Sequence, residues 1–273
     1  NLMTVRLAQT IGMDRVASYA KRFGIINNLH QTLAMSLGAG ETTLIRLTTA
    51  YAMLVNGGKK IVPTLLDRIQ DRHGRTVFSH DRRVCKGCRQ KAWTGELPPL
   101  VPDTRKQVTD AGSAYQVVAM LKGVVDRGTG RRIAKIGKPL AGKTGTTNQE
   151  RDTWFIGFSP DLAVGVFVGF DKPIPLGRRE TGSSVAAPVF RDFMGGALEG
   201  RPAIPFRIPP NIRLVRVNAR TGQLAQAGER NVILEAFKPG SVPTGASQVL
   251  KGQSWTAGQG AGSGALTGTG GLY

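Results

Sequence analysis

The spacing of apolar positions changes several times along this chain, and each change marks an element. Residues 154–158 and 162–170 are short runs rich in Val, Phe and Trp, separated by Ser159-Pro160-Asp161. They are too short for amphipathic helices, so they predict two strands of a central sheet joined by a tight turn. A third strand is expected to end in Lys143-Thr144-Gly145-Thr146, which sets polar residues at the rim of that sheet, where chemistry concentrates. Helical spacing predicts helices over residues 2–11, 14–23 (stopped by Gly24), 43–55 (closed by Gly57 and Gly58) and 111–125. Asn1 and Asp110 are suited to cap the first and last of these, and the last ends at Arg127-Gly128-Thr129-Gly130. Residues 184–198 predict one more helix, with Pro188 acceptable near its start and Phe190, Phe193, Met194 and Leu198 on one face over the sheet.

Between and after these lie weaker signals. Residues 61–70 and 75–79 flank Asp71-Arg72-His73-Gly74 and predict a hairpin. From Arg201 the composition shifts, with Pro202, Pro205, Pro209 and Pro210 marking a linker, then a second possible hairpin of 212–217 with 223–224 around Ala219-Arg220-Thr221-Gly222. The stretch 241–273 closes on Gly, Ala, Ser and Thr, which cannot bury enough surface to order itself. The expected organisation is therefore a main unit over 1–200, with the hairpin and a Cys loop in 59–106, then a Pro-rich β extension over 201–240 and a low-complexity tail over 241–273.

Charge adds a constraint on partners. With 37 Lys and Arg against 18 Asp and Glu, the chain carries a formal charge of +19. A nucleic acid is the default partner for such a balance. Here the aromatics lie in the expected strands and are not interleaved with the basic clusters, and no nucleic-acid module signature is present. An anionic membrane or cell-wall surface fits the charge as well.

Lys143 admits two chemical readings. Residues 137–144 satisfy the nucleotide-binding pattern G-x-x-x-x-G-K-[ST]. A phosphate-binding loop, however, must follow a buried strand and open a helix. Here the preceding residues are basic, Pro139 removes an amide donor, and another glycine, two threonines and a strand pair follow. In the second reading Lys-Thr-Gly is the third motif of serine acyltransferases acting on D-alanyl peptides. In that chemistry Gly145 lets a substrate backbone approach, the Thr146 amide can donate to a developing oxyanion, and Thr144, Thr146 and Thr147 line the substrate side beside the Lys143 charge.

Around that motif, residues 141–147, 152–160, 162–169 and 181–190 together resemble the transpeptidase domain of bifunctional (class A) penicillin-binding proteins, over most of residues 1–200. The resemblance implies an α/β fold like that of serine β-lactamases, an antiparallel sheet with helices on both faces. It implies D,D-transpeptidation of peptidoglycan stem peptides through a serine acyl-enzyme, inhibition by β-lactam antibiotics, and no metal or organic cofactor. It assigns Lys143 and Asn1 to catalysis, Asn1 as the asparagine of an S-x-N motif, and Thr144, Gly145, Thr146 and Thr147 to substrate binding. The serine of that motif and the S-x-x-K nucleophile would then precede Asn1. With no initiator Met, signal peptide or transmembrane run, the family implies a longer protein on the extracytoplasmic face of the bacterial inner membrane, with an anchor and a glycosyltransferase domain upstream. Ser18-Tyr19-Ala20-Lys21 fits S-x-x-K, but it lies mid-helix and follows Asn1, where the family order requires the reverse.

Cys85 and Cys88 stand at C-x-x-C spacing, with His73 and His80 upstream. A disulfide, free thiols and a zinc site are all open, and an extracytoplasmic compartment favours the disulfide. Lys122, Arg127, Arg131, Arg132, Lys135, Lys138 and Lys143 against the single Asp126 make a basic stretch that is either a rim of the cleft or a solvated face.

Overall fold

A computed structural model of the protein describes residues 1–85, 88, 92, 95, 97, 99 and 101–244. The low-complexity tail expected over 241–273 lies outside the described residues from 245 onward.

The organising element is a three-stranded antiparallel sheet in the order β3-β4-β5, formed by β3 (Ala141–Thr146), β4 (Asp152–Phe158) and β5 (Ala163–Gly169). Its register runs from Ala141 opposite Phe158 to Thr146 opposite Thr153, so β3 is an edge strand. Successive side chains of β4 serve opposite faces. On one face Phe155 packs with Phe190, Met194, Ile133 and Leu140; on the other Phe158 packs with Val118, Leu121 and Phe206. The Phe155 and Phe190 ring centroids are 4.7 Å apart. Burying each of these rings is worth roughly 1.5–3 kcal/mol relative to exposure, which ties the sheet to both helical layers.

The layer against Phe158 comes from α3 (Leu44–Val55) and α4 (Ala111–Arg127). Thr43 caps α3 by accepting the Arg46 amide, and Asp110 caps α4 by accepting the Ser113 amide at 2.9 Å. α3 lies close on β5 because Gly165 has no side chain: a Cβ there would stand 2.1 Å from Thr48 Oγ1. The opposite layer is α5 (Ala187–Ala197), with Pro188 in its first turn. Its buried residues Phe190 and Met194 are followed by buried Leu198 at helical spacing, while Phe193 is 56 % exposed. The expectation that put Phe193 on the core face fails because the buried row is i, i+4, i+8 (Phe190, Met194, Leu198), which drifts around the helix away from the i+3 position and leaves Phe193 at its solvent edge.

A single π-turn, Gly182–Ala186, precedes α5 and is closed by a reciprocal cap: the Thr181 hydroxyl accepts the Ser184 amide and the Ser184 hydroxyl accepts the Thr181 amide. α1 (Leu2–Ile11) and α2 (Met13–Arg22) are separated by Gly12 at φ 89° and pack on each other and on the short 3-10 turn Leu33–Leu37.

Two small hairpins complete the described chain. β1 (Arg68–Gln70) pairs with β2 (Thr76–Ser79) around the expected turn, but the first arm, expected from 61, is strand only over its last three residues. β6 (Arg213–Asn218) pairs with β7 (Val232–Phe237) along its whole length. Residues 223–224, expected as its partner, contribute only a bridge from Leu224 to Val217. The local turn does form, with Asn218 Oδ1 accepting the Arg220 amide, but the six-residue ladder with β7 offers far more backbone pairing.

Cys85 and Cys88 are joined in a disulfide, which takes both sulfurs out of a zinc set with His73 and His80. No described helix is long and apolar enough to cross a membrane.

Candidate active site

Residues 141–146 are strand, so the nucleotide-binding reading of 137–144 is corrected: backbone groups engaged in a β-ladder cannot curl into a phosphate cradle, and no helix starts at Thr144. Gly137 ends a 3-10 turn, Arg131–Ile136, in a left-handed conformation.

The Thr147 amide donates to the Asp152 carbonyl at 3.0 Å, which makes that pair a hydrogen-bonded one. Antiparallel ladders alternate, so the pairs 145/154 and 143/156 are also bonded, and the backbone groups of Thr144 and Thr146 face away from β4 toward the open edge. An extended peptide could therefore add to this edge, with the Thr146 N–H available to an incoming oxygen.

Lys143 stands on the face shared with Ile156, and Nζ donates to the Thr144 carbonyl at 2.9 Å and approaches Thr144 Oγ1 at 3.4 Å. Among the described residues no carboxylate pairs with it. Partial loss of water around the ammonium pushes its pKa below the usual lysine value. The result is an unneutralised cation beside an open strand edge.

The threonines lie on the other face and are held from two directions. Thr144 Oγ1 is 2.8 Å from Thr129 Oγ1, in the turn after α4. Ser183 Oγ donates to the Thr129 carbonyl at 2.9 Å. Thr146 Oγ1 accepts the Gly182 amide at 3.0 Å. Gly182 lies directly on the strand pair: a Cβ there would be 2.5 Å from the Gly145 carbonyl oxygen and 2.6 Å from that of Trp154. Gly145 itself faces Trp154, whose Cβ would be 3.1 Å from an added methyl.

The structure thus brings together Lys143, Thr144, Gly145 and Thr146. Thr147 lies just past the strand, where its hydroxyl accepts the Asp152 amide at 2.8 Å and closes the turn. Asn1 occupies the cap position of α1 without a side-chain cap bond, and α1 packs on α2 and the 3-10 turn Leu33–Leu37. Ser18 is exposed on α2, which packs on α1 and on the same 3-10 turn. Thr129, Gly182 and Ser183 are contributors that the motif reading left out. Their signal was present only as the glycine-flanked turn and as the run from Thr181 to Phe190. Two hollows of the described surface, one lined by Pro139, Ser159 and Leu198 and one by Tyr115 and Phe206, lie toward the Ala141 end, away from Thr146.

Comparison with known proteins gives a consistent result. The penicillin binding protein transpeptidase domain matches residues 1–195. Penicillin-binding protein 1A of Rickettsia conorii is 42% identical over 246 residues, covering 89% of this chain and 30% of that protein. The Pseudomonas aeruginosa protein of the same name is 30% identical, covering 92% of this chain and 34% of its own. The crystal structure of penicillin-binding protein 1A from Haemophilus influenzae superposes with a TM-score of 0.75 at 30% identity, over 89% of this chain and 39% of that one. The chain spans about a third of the length of the curated relatives it matches. Neither the nucleotide-binding nor the nucleic-acid reading gains support from these relatives. With its α/β architecture, its motif strand and a match over residues 1–195, the chain belongs to the penicillin-binding protein transpeptidase domain family.

Proposed function

We propose that this chain forms the far wall of a D,D-transpeptidase site that cross-links peptidoglycan stem peptides and is acylated by β-lactams. In that reaction a serine hydroxyl adds to the carbonyl of the penultimate D-alanine. The C–N bond to the last D-alanine breaks, the departing amine takes a proton, and the acyl group passes from the serine to an amine on a neighbouring peptide. Lys143 supplies fixed positive charge, Thr144 and Thr146 offer hydroxyls to the substrate carboxylate, and the Thr146 amide donates to the oxyanion. The observation that carries this reading is the Lys143 ammonium, which meets no carboxylate among the described residues, beside a strand edge whose outward backbone groups belong to Thr144 and Thr146.

In this reading the serine comes from chain preceding Asn1, since Ser18 follows Asn1 where the family order requires the reverse; α2, which carries Ser18, packs on α1 and the 3-10 turn Leu33–Leu37. Asn1 is assigned its catalytic part by family resemblance. By the same reading the intact protein carries a glycosyltransferase domain upstream and is anchored at the extracytoplasmic face of the inner membrane, and the +19 formal charge of these 273 residues meets an anionic membrane or wall polymer. The chemistry calls for no metal or organic cofactor.

The test is Lys143→Ala in the full-length protein that contains this chain. Labelling by a fluorescent penicillin should be abolished with the melting temperature nearly unchanged, because the side chain is solvent-facing and makes no ion pair among the described residues. Normal labelling of that variant would sink the assignment.

A further inference from the structure

The turn between α4 and the 3-10 turn Arg131–Ile136 is built to hold one hydroxyl in place. Gly128 and Gly130 both donate their amides to the Val124 carbonyl, at 3.1 and 3.0 Å, so the two residues flanking Thr129 fold back on the last turn of α4. Gly128 lies so close to that turn that a Cβ would stand 3.0 Å from both the Cα and the carbonyl oxygen of Val124. Just before it, Arg127 pairs with Glu235 of β7 at 2.9 Å, and just after it the Thr129 carbonyl accepts the Ser183 hydroxyl. Thr129 is thus fixed through its neighbours and its own carbonyl, while its side chain reaches Thr144 Oγ1 at 2.8 Å.

We propose that Thr129 is a positioning residue that acts through Thr144 to set how strongly the site prefers a ligand bearing a carboxylate; this rests on the transpeptidase reading above. A threonine hydroxyl has one proton and two lone pairs. Lys143 Nζ approaches one lone pair of Thr144 Oγ1 at 3.4 Å. When Thr129 donates into the other, the proton of Thr144 is left for an incoming carboxylate oxygen. Without the Thr129 hydroxyl, Thr144 is free to rotate and spend its proton elsewhere. The loss falls on recognition of the anion, and the acyl-transfer chemistry itself is untouched.

The test compares benzylpenicillin with its methyl ester on the full-length protein, as wild type, Thr129→Val and Thr129→Ser. Thr129→Val keeps the shape and removes the hydroxyl. Its acylation efficiency with the free acid should fall about five- to tenfold, the scale of one hydrogen bond. That fall should appear in the half-saturating concentration and not in the maximal rate. Efficiency with the ester should stay at the wild-type value, and Thr129→Ser should restore the preference for the acid. Equal efficiency of Thr129→Val and wild type on the free acid overturns the proposal. So does a parallel loss on acid and ester, which marks general damage to the site, and so does a failure of Thr129→Ser to restore. A wild-type protein that neither penicillin acylates would instead overturn the transpeptidase reading itself.

Discussion

Replacing Gly182 with Ala should break the join between the π-turn and the motif strand. The added methyl would stand 2.5 Å from the Gly145 oxygen, 2.6 Å from the Trp154 oxygen and 3.1 Å from the Gly145 nitrogen. All three are backbone atoms of a paired ladder, so no flexible side chain can swing aside and the turn itself must lift. Overpacking of this kind costs about 1–3 kcal/mol. Lifting the turn also lengthens the 3.0 Å bond from the Gly182 amide to Thr146 Oγ1, a further loss of roughly 0.5–1.5 kcal/mol. The sum, about 1.5–4.5 kcal/mol, corresponds to a fall in melting temperature on the order of 3–18 °C for a domain of this size. Acylation by labelled penicillin should fall with it, since Thr146 loses its anchor. The assay is thermal unfolding of wild type and Gly182→Ala in the full-length protein, with penicillin labelling measured well below both transitions. Unchanged stability together with unchanged labelling would refute the argument that this glycine exists for contact with β3.

The other expectations are simpler. Gly196 lies near the end of α5 with open space around it, so Gly196→Ala should raise stability by about 0.5–1 kcal/mol from helix propensity alone, seen as a higher denaturant midpoint at constant slope. Thiol titration of the unfolded, non-reduced protein should find neither Cys85 nor Cys88 free, and two titratable thiols would reject the disulfide. The Lys238 ammonium and the Ser113 amide hold the Asp110 carboxyl well below the usual carboxylate range. A depressed carboxylate stabilises fully above its unfolded pKa and loses that contribution as pH falls toward the folded one. The stability gap between wild type and Asp110→Ala, about 1 kcal/mol from the cap, should therefore be full at pH 6 and begin to narrow below about pH 4. A gap that widens on acidification contradicts the sign.

What the sequence made legible was local. The strand pair of 154–158 with 162–170 was readable because Val, Phe and Trp runs flank a turn that leaves little choice of partner. The helices over 43–55 and 111–125 were readable from caps and closing glycines, and the structure moves their ends by no more than two residues. Lys143, Thr144 and Thr146 were singled out because a short motif holds them together, and the structure does set them on one strand. The groups that fix those threonines were not found, since Thr129 is 15 positions and Gly182 is 36 positions from its partner. Such contacts depend on how helices pack against the sheet, and nothing in the spacing of either residue announces them. The same limit explains β6, whose nearest candidate partner in the chain yielded to β7 after a longer connection. Asn1 was assigned by motif alone, and in the described structure it takes the cap position of α1.

The chain between α3 and α4 leaves and returns at a single point. The Gly58 carbonyl accepts both the Val108 and Thr109 amides, and Lys60 donates to the Lys106 carbonyl. A Cβ at Gly58 would meet the Thr109 oxygen at 2.2 Å, and its φ of 78° already favours glycine, so the two ends are pressed together at a point no other residue suits. The hairpin β1–β2 and the disulfide thus hang on a closed stalk, and their length has no bearing on the distance between α3 and α4. That excursion can consequently be lengthened or shortened without moving α3 relative to α4.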